Sequence, residues 1–131
     1  MKHVESYIQK QCVKWFRLQY RHLYPLLFSV PNGGQRDIRV AQSMKAEGIV
    51  AGVSDMIFLY PSHGFHALCI EFKTEHGRQS DAQVEFEKAV TVQGYKYVLV
   101  RNFMQFYYLI RFWLGEITAI PDNKDTVGFS Q

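Results

Sequence analysis

Ala67-Leu68-Cys69-Ile70-Glu71-Phe72-Lys73 is the stretch on which the fold turns. It is a short apolar run broken only by a carboxylate and an ammonium two positions apart. On a strand, residues i and i+2 share a face. Glu71 and Lys73 therefore project together, while Ile70 and Phe72 face the other way. Charges on an otherwise apolar central strand are costly unless something uses them. A simple ion pair at a strand end is one account of them, and a chemical site is the other.

Working toward the N-terminus, Pro61-Ser62-His63-Gly64 is a turn signal, and Asp55–Tyr60 reads as a buried strand running antiparallel to the first. A hairpin register can bring Asp55, just after Gly52, beside Glu71. Two carboxylates meeting at a strand end form an oxygen-rich site suited to a hard cation such as Mg²⁺, and the backbone carbonyl of Phe72 can add a ligand. Taken alone, Asp55 is better read as a turn residue that caps a strand.

Working toward the C-terminus, Ser80-Asp81-Ala82-Gln83 has the form of a capping box. It opens a helix that runs to about Gln93 and stops at Gly94. Tyr95–Val100 follows as a strand, and a strand–helix–strand crossover predicts parallel, right-handed pairing. Asn102 then caps an aromatic-rich helix to Leu114. Ahead of the hairpin, Val4, Ile8, Cys12 and Phe16, widened by Trp15, make an amphipathic helix from His3 to about Tyr20. Pro25 separates it from a strand at Leu26–Val30, Pro31-Asn32-Gly33-Gly34 is a turn, and a helix spans Arg36–Glu47, stopped by Gly48. The expected fold class is α/β, a mixed sheet flanked by helices, in one domain over residues 1–115. Residues 116–131 are expected to be a polar, frayed tail.

The bulk numbers agree with one domain: 131 residues, 47% hydrophobic. Fifteen Lys and Arg against twelve Asp and Glu give a formal net charge of +3, which tolerates a polyanionic partner without requiring one. Cys12 and Cys69 lie in apolar stretches and read as buried, reduced thiols of a cytoplasmic protein. No signal peptide is visible. The most apolar run, Phe103–Leu114, is interrupted by Gln105 and Arg111 and falls short of the ~20 residues of a membrane span. His63, His66 and His76 lack ligand spacing and are not expected to hold zinc.

Gly52-Val53-Ser54-Asp55, Glu71-Phe72-Lys73 and Gln83 together resemble the virus-type replication-repair nuclease domain, a branch of the PD-(D/E)XK nuclease superfamily. Glu5, Pro31-Asn32-Gly33-Gly34 with Arg36, and Gly94-Tyr95 extend the likeness from Glu5 to about Leu114. Ser54 departs from it, since that family usually has proline there; the position shapes backbone and binds no metal. The resemblance implies a restriction-endonuclease-like core of order αβαββαβα. It implies Mg²⁺ or Mn²⁺ held by Asp55, Glu71, the Phe72 carbonyl and Glu5, with Lys73 and Gln83 in the catalytic site. Glu5 is also explained as an ordinary acidic residue in a helix's first turn. Gln83 is also explained by its cap, and both of its roles are expected only if the side chain gives the cap up.

The implied activity is divalent-metal-dependent DNA endonuclease cleavage, selective for branched or four-way-junction DNA in replication, recombination or repair. The alternatives are a nicking or restriction-like nuclease on the same fold, an inert nucleic-acid-binding module, and an α/β domain whose motif is coincidental. Carboxylates beside a lysine favour its charged form. Lys73 is therefore expected to orient water and stabilise developing charge rather than to act as a base. Candidate phosphate contacts are the backbone of Asn32, Gly33 and Gly34, with Arg36, Arg78, Lys10, Lys14 and Arg17. Phe103, Phe106, Tyr107, Tyr108, Phe112 and Trp113 cover more than one face of the last helix, and part of that surface is expected to form a homodimer interface.

Overall fold

The strand that carries Glu71, Leu68–Phe72, lies inside the sheet with every residue buried. The computed structural model describes residues 2–31 and 38–129. In chain order these form helix α1 (Lys2–Gln19), a 3-10 helix (Arg21–Leu26), strand β1 (Leu27–Ser29), helix α2 (Ile38–Ala46), strands β2 (Met56–Phe58) and β3 (Leu68–Phe72), helix α3 (Asp81–Val92), strand β4 (Lys96–Val100) and helix α4 (Phe103–Trp113). The sheet order is β1-β2-β3-β4. β1 and β3 both pair antiparallel with β2, and β4 pairs parallel with β3 across the α3 crossover. This is the mixed α/β sheet the sequence predicts.

Strand parity divides the sheet into two unlike faces. Leu68, Ile70 and Phe72 join Met56, Phe58, Val98 and Val100 in the main core. Two helices cover that face. α1 contributes Ile8, Cys12 and Phe16, and α4 contributes Phe106, Leu109, Ile110 and Trp113, all buried. Val4, one turn earlier on the same stripe, is half exposed and lies beyond the cover. Phe16 meets the Phe58 ring edge-on at 5.3 Å, so Phe16→Ala would cost about 3–5 kcal/mol.

Two local results differ from the expected ones, and the turn after β2 agrees. Pro25 does not separate helix from strand but sits inside the 3-10 helix, which leaves β1 only three residues long. The turn after β2 is tight: Ser62 and Phe65 exchange both backbone hydrogen bonds. Its two central residues, His63 and Gly64, both have positive φ, as a two-residue hairpin loop demands. The second difference is the segment after α4, which folds back. Asn102 and Gln105 both donate to the Asp125 carbonyl, Thr126 is buried, and Tyr20 donates to Glu116 at 2.8 Å.

The aromatic surplus expected on α4 is largely absorbed within the chain. Trp15 of α1 presents its indole to Phe103, Phe106 and Tyr107. No aromatic of α4 is among the exposed large hydrophobic residues described. Cys12 and Cys69 are free and buried, one on each side of the sheet, and burial pushes the Cys12 thiol up to about 12. No described helix is long and apolar enough to cross a membrane.

Candidate active site

The second face of the sheet carries Cys69 and Glu71 from β3, with Tyr97 and Leu99 beside them on β4. α3 covers it, with Phe86 against the Tyr97 ring, but α3 buries none of its own residues completely. That thin layer leaves room for a polar site where the opposite face has packed rings. Met56 stands opposite Ile70, so one step further along the hairpin Asp55 faces Glu71. The Asp55 carboxylate accepts the backbone N–H of Phe72 at 2.7 Å. The capping reading and the site reading of Asp55 thus describe the same side chain.

Glu71 is the centre of the arrangement and only 2% exposed. Its Oε2 accepts from Gln83 Nε2 at 2.9 Å, and its Oε1 accepts from the Tyr97 hydroxyl at 3.2 Å. Lys73 Nζ lies 3.9 Å from Oε2. Burial, then the charge and hydrogen bond of Asp55, raise the Glu71 carboxyl to about 8, against the opposing pull of Lys73 and Tyr97. Burial, followed by the Glu71 charge, likewise pushes the Tyr97 phenol up.

Gln83 corrects the expectation that it must choose between cap and site. Its Oε1 accepts the Ser80 N–H at 2.8 Å while its Nε2 reaches Glu71. The capping box is complete, with Ser80 Oγ accepting from the Gln83 N–H. A primary amide has an acceptor and a donor end, and this one spends each on a different partner. Gly52 makes the approach feasible. At φ +85° it passes so close to α3 that a Cβ there would stand 2.4 Å from the Ala82 carbonyl carbon and oxygen. This fits the Gly52-Val53-Ser54-Asp55 loop against the helix end that carries Gln83.

Asp55, Glu71, Lys73 and Gln83 are therefore brought together, with the Phe72 backbone between them. Glu5 lies in the first turn of α1. Among the described residues no three His, Cys, Asp or Glu side chains converge as a metal cluster, so Glu5 does not make a triad with Asp55 and Glu71. Asn32, Gly33, Gly34 and Arg36 fall outside the described residues. Arg78 is exposed on the loop after β3, and Lys10, Lys14 and Arg17 are exposed along α1. That loop is held by Arg101, whose Nη1 donates to the carbonyls of Thr74 (2.7 Å) and Gly77 (2.8 Å). Tyr97 and Arg101 escaped the sequence reading because their partners depend on the β3–β4 register. The parity of Tyr97 with Leu99 on a strand parallel to β3 was the available signal.

The oxygen donors of Asp55 and Glu71 fit a hard divalent cation. Mg²⁺ is commonly held by one or two carboxylates, the remaining positions going to water and substrate phosphate. Burial first, and then the neighbouring Asp55 carboxyl, raises the Glu71 pKa.

No family model and no curated protein sequence matches the chain. Among solved structures, one described as "VRR_NUC domain protein" is similar over 86% of this chain and 88% of that chain, with a TM-score of 0.74 and 22% identity. The mixed four-stranded sheet and its flanking helices, with Glu71 on β3 and Asp55 and Lys73 at the ends of β2 and β3, thus belong to a chain with the fold of a VRR_NUC domain protein.

Proposed function

We propose that this chain is a divalent-metal-dependent nuclease that hydrolyses phosphodiester bonds of DNA, with Asp55, Glu71, Lys73 and Gln83 at its centre. The observation that carries the reading is Glu71: a buried carboxylate beside Asp55, with a lysine and an amide directed at one of its oxygens. An ordinary structural ion pair needs neither Asp55 nor Gln83. The fold likeness to a VRR_NUC domain protein supports the same class of chemistry.

Asp55, Glu71 and the Phe72 carbonyl are the groups that would hold Mg²⁺ or Mn²⁺. The cation supplies a lowered water pKa and neutralisation of phosphate charge. The chain's own residues do the rest. Lys73 keeps an ammonium at the edge of the site, where it orients water and stabilises charge developing on the phosphate. Gln83 holds Glu71 in place. In the reaction the water oxygen bonds to phosphorus, the bond from phosphorus to one sugar oxygen breaks, and that oxygen leaves with a proton. Arg78, Arg36 and the Asn32-Gly33-Gly34 backbone are proposed phosphate contacts, and branched or four-way-junction DNA is the proposed substrate. A homodimer offering two such sites would suit a junction.

The test is incubation with linear, flap and four-way DNA in Mg²⁺, Mn²⁺ or EDTA, alongside Glu71→Ala and Lys73→Arg. Metal-dependent cutting lost in Glu71→Ala supports the enzyme. Binding to DNA with no cutting under any metal would instead identify an inert binding module. Near-native turnover by Lys73→Arg with an unchanged pH profile would exclude a base role for Lys73.

A further inference from the structure

Behind Glu71, on the side away from Lys73 and Gln83, a string of polar side chains has no part in the chemistry so far. Gln79 Nε2 donates to Glu87 Oε1 at 2.9 Å. Gln79, Glu87 and Tyr97 line one cavity. A phenol has one proton. That proton is directed to Glu71 Oε1 at 3.2 Å. The two outer links, Gln79 to Glu87 and Tyr97 to Glu71, are each oriented.

We propose that Tyr97 is a positioning residue that fixes the Glu71 carboxylate for capture of a divalent cation, and that Gln79 and Glu87 act through it. This rests on the nuclease reading above and adds residues that it does not assign. The terminal torsion of a glutamate is broad and two-fold. Here each oxygen has its own fixed donor, Gln83 on Oε2 and Tyr97 on Oε1, so the carboxylate cannot turn without losing both. Its remaining lone pairs keep one direction. Tyr97 is 7% exposed, so solvent has little access to replace the phenol. A hydrogen bond of this kind behind a metal ligand is generally worth 10–100-fold in metal affinity. The plainer account is a tyrosine buried for packing, with Phe86 edge-on at 6.3 Å, whose hydroxyl merely takes the nearest acceptor.

Tyr97→Phe separates the two accounts, because it keeps the ring and deletes only the oxygen. Mn²⁺ binding to the full chain without DNA is read by calorimetry and by loss of the free Mn²⁺ paramagnetic resonance signal, with the melting temperature taken in EDTA. The expected result is Mn²⁺ binding weakened by about 10–100-fold. The Mn²⁺ needed for half-maximal cutting should rise in parallel, and kcat at saturating Mn²⁺ should change little. Gln79→Leu should weaken binding in the same direction, and add almost nothing in the Tyr97→Phe background, since it acts through the phenol. Equal Mn²⁺ affinity in wild type and Tyr97→Phe overturns the proposal and leaves the nuclease reading standing. Additive effects of the two substitutions overturn the relay from Gln79. Absence of Mn²⁺ binding and of cutting in the wild type overturns both readings. If Tyr97→Phe does not fold, Gln79→Leu and Glu87→Gln give the same comparison from partly exposed positions, and unchanged Mn²⁺ affinity in both overturns the proposal.

Discussion

Gly52→Ala should damage stability and activity together, and the structure separates the causes. At φ +85° an alanine enters the left-handed region, at a cost of about 1–2 kcal/mol. Its Cβ would also meet the Ala82 carbonyl carbon and oxygen at 2.4 Å and the Gln83 nitrogen at 2.8 Å, where ordinary contact begins near 3.4 Å. Those atoms are helix backbone and cannot swing aside, so loop and helix must part by about 1 Å, at a further cost of about 1–3 kcal/mol. The total of about 2–5 kcal/mol is measurable by urea denaturation. In a chain of this size each kcal/mol lowers the melting temperature by about 3–6 °C. The same parting separates Asp55 from Gln83, and a 1 Å misplacement can lower turnover about 100-fold. Gly48→Ala is the control. Gly48 has φ +106° and nothing within 4 Å of an added Cβ, so it should show the conformational cost alone and cut DNA normally. If Gly52→Ala proved no more harmful than Gly48→Ala in either assay, the steric argument would be refuted.

Three further outcomes follow from the geometry. Between the ordinary value of 4.5 and the folded value of about 8, folded Glu71 keeps a proton that the unfolded chain has released. Its contribution to stability is therefore full below about pH 4.5 and is lost as pH rises through about 8. Urea denaturation in EDTA should show this decline, and Glu71→Gln should flatten it; a slope unchanged in Glu71→Gln would contradict the assignment. Arg101→Ala removes the donor to the Thr74, Glu75 and Gly77 carbonyls. Limited trypsin digestion should then cut after Arg78 faster than in the wild type, and equal rates would mean that the clamp does not order the loop. The buried Thr74 hydroxyl has no hydrogen-bond partner among the described residues, so Thr74→Val should be neutral or stabilising by about 1 kcal/mol in thermal melts; a marked loss would reveal a partner for that hydroxyl.

What was legible in the sequence had a short period or a local rule behind it. The alternation in Leu68–Phe72, the hairpin with Asp55–Tyr60 and the capping box at Ser80–Gln83 each need only a few neighbouring residues. Asp55 and Glu71 became a pair through antiparallel parity alone. The return of residues 116–129 was hidden because it depends on one backbone carbonyl, at Asp125, taking two amides from the start of α4. Composition there reads simply as polar. Tyr97 was hidden for a different reason: a parallel register across a twelve-residue helix is not written in either strand. The homodimer expectation rests on α4 taken alone, and the contact of Trp15 of α1 with that helix is not written in the α4 sequence.

Gln83 places two kinds of selection on one amide. A carboxylate at that position would still accept the Ser80 N–H, so the helix would hardly register Gln83→Glu, while Glu71 would lose a donor and gain a negative neighbour. Gln83→Ala would lose both contacts. A screen that reads helix content alone would pass the first as silent and reject the second, although both disarm the same carboxylate. Any sequence drift tolerated here must keep the polarity of the amide, oxygen toward the helix and nitrogen toward the sheet.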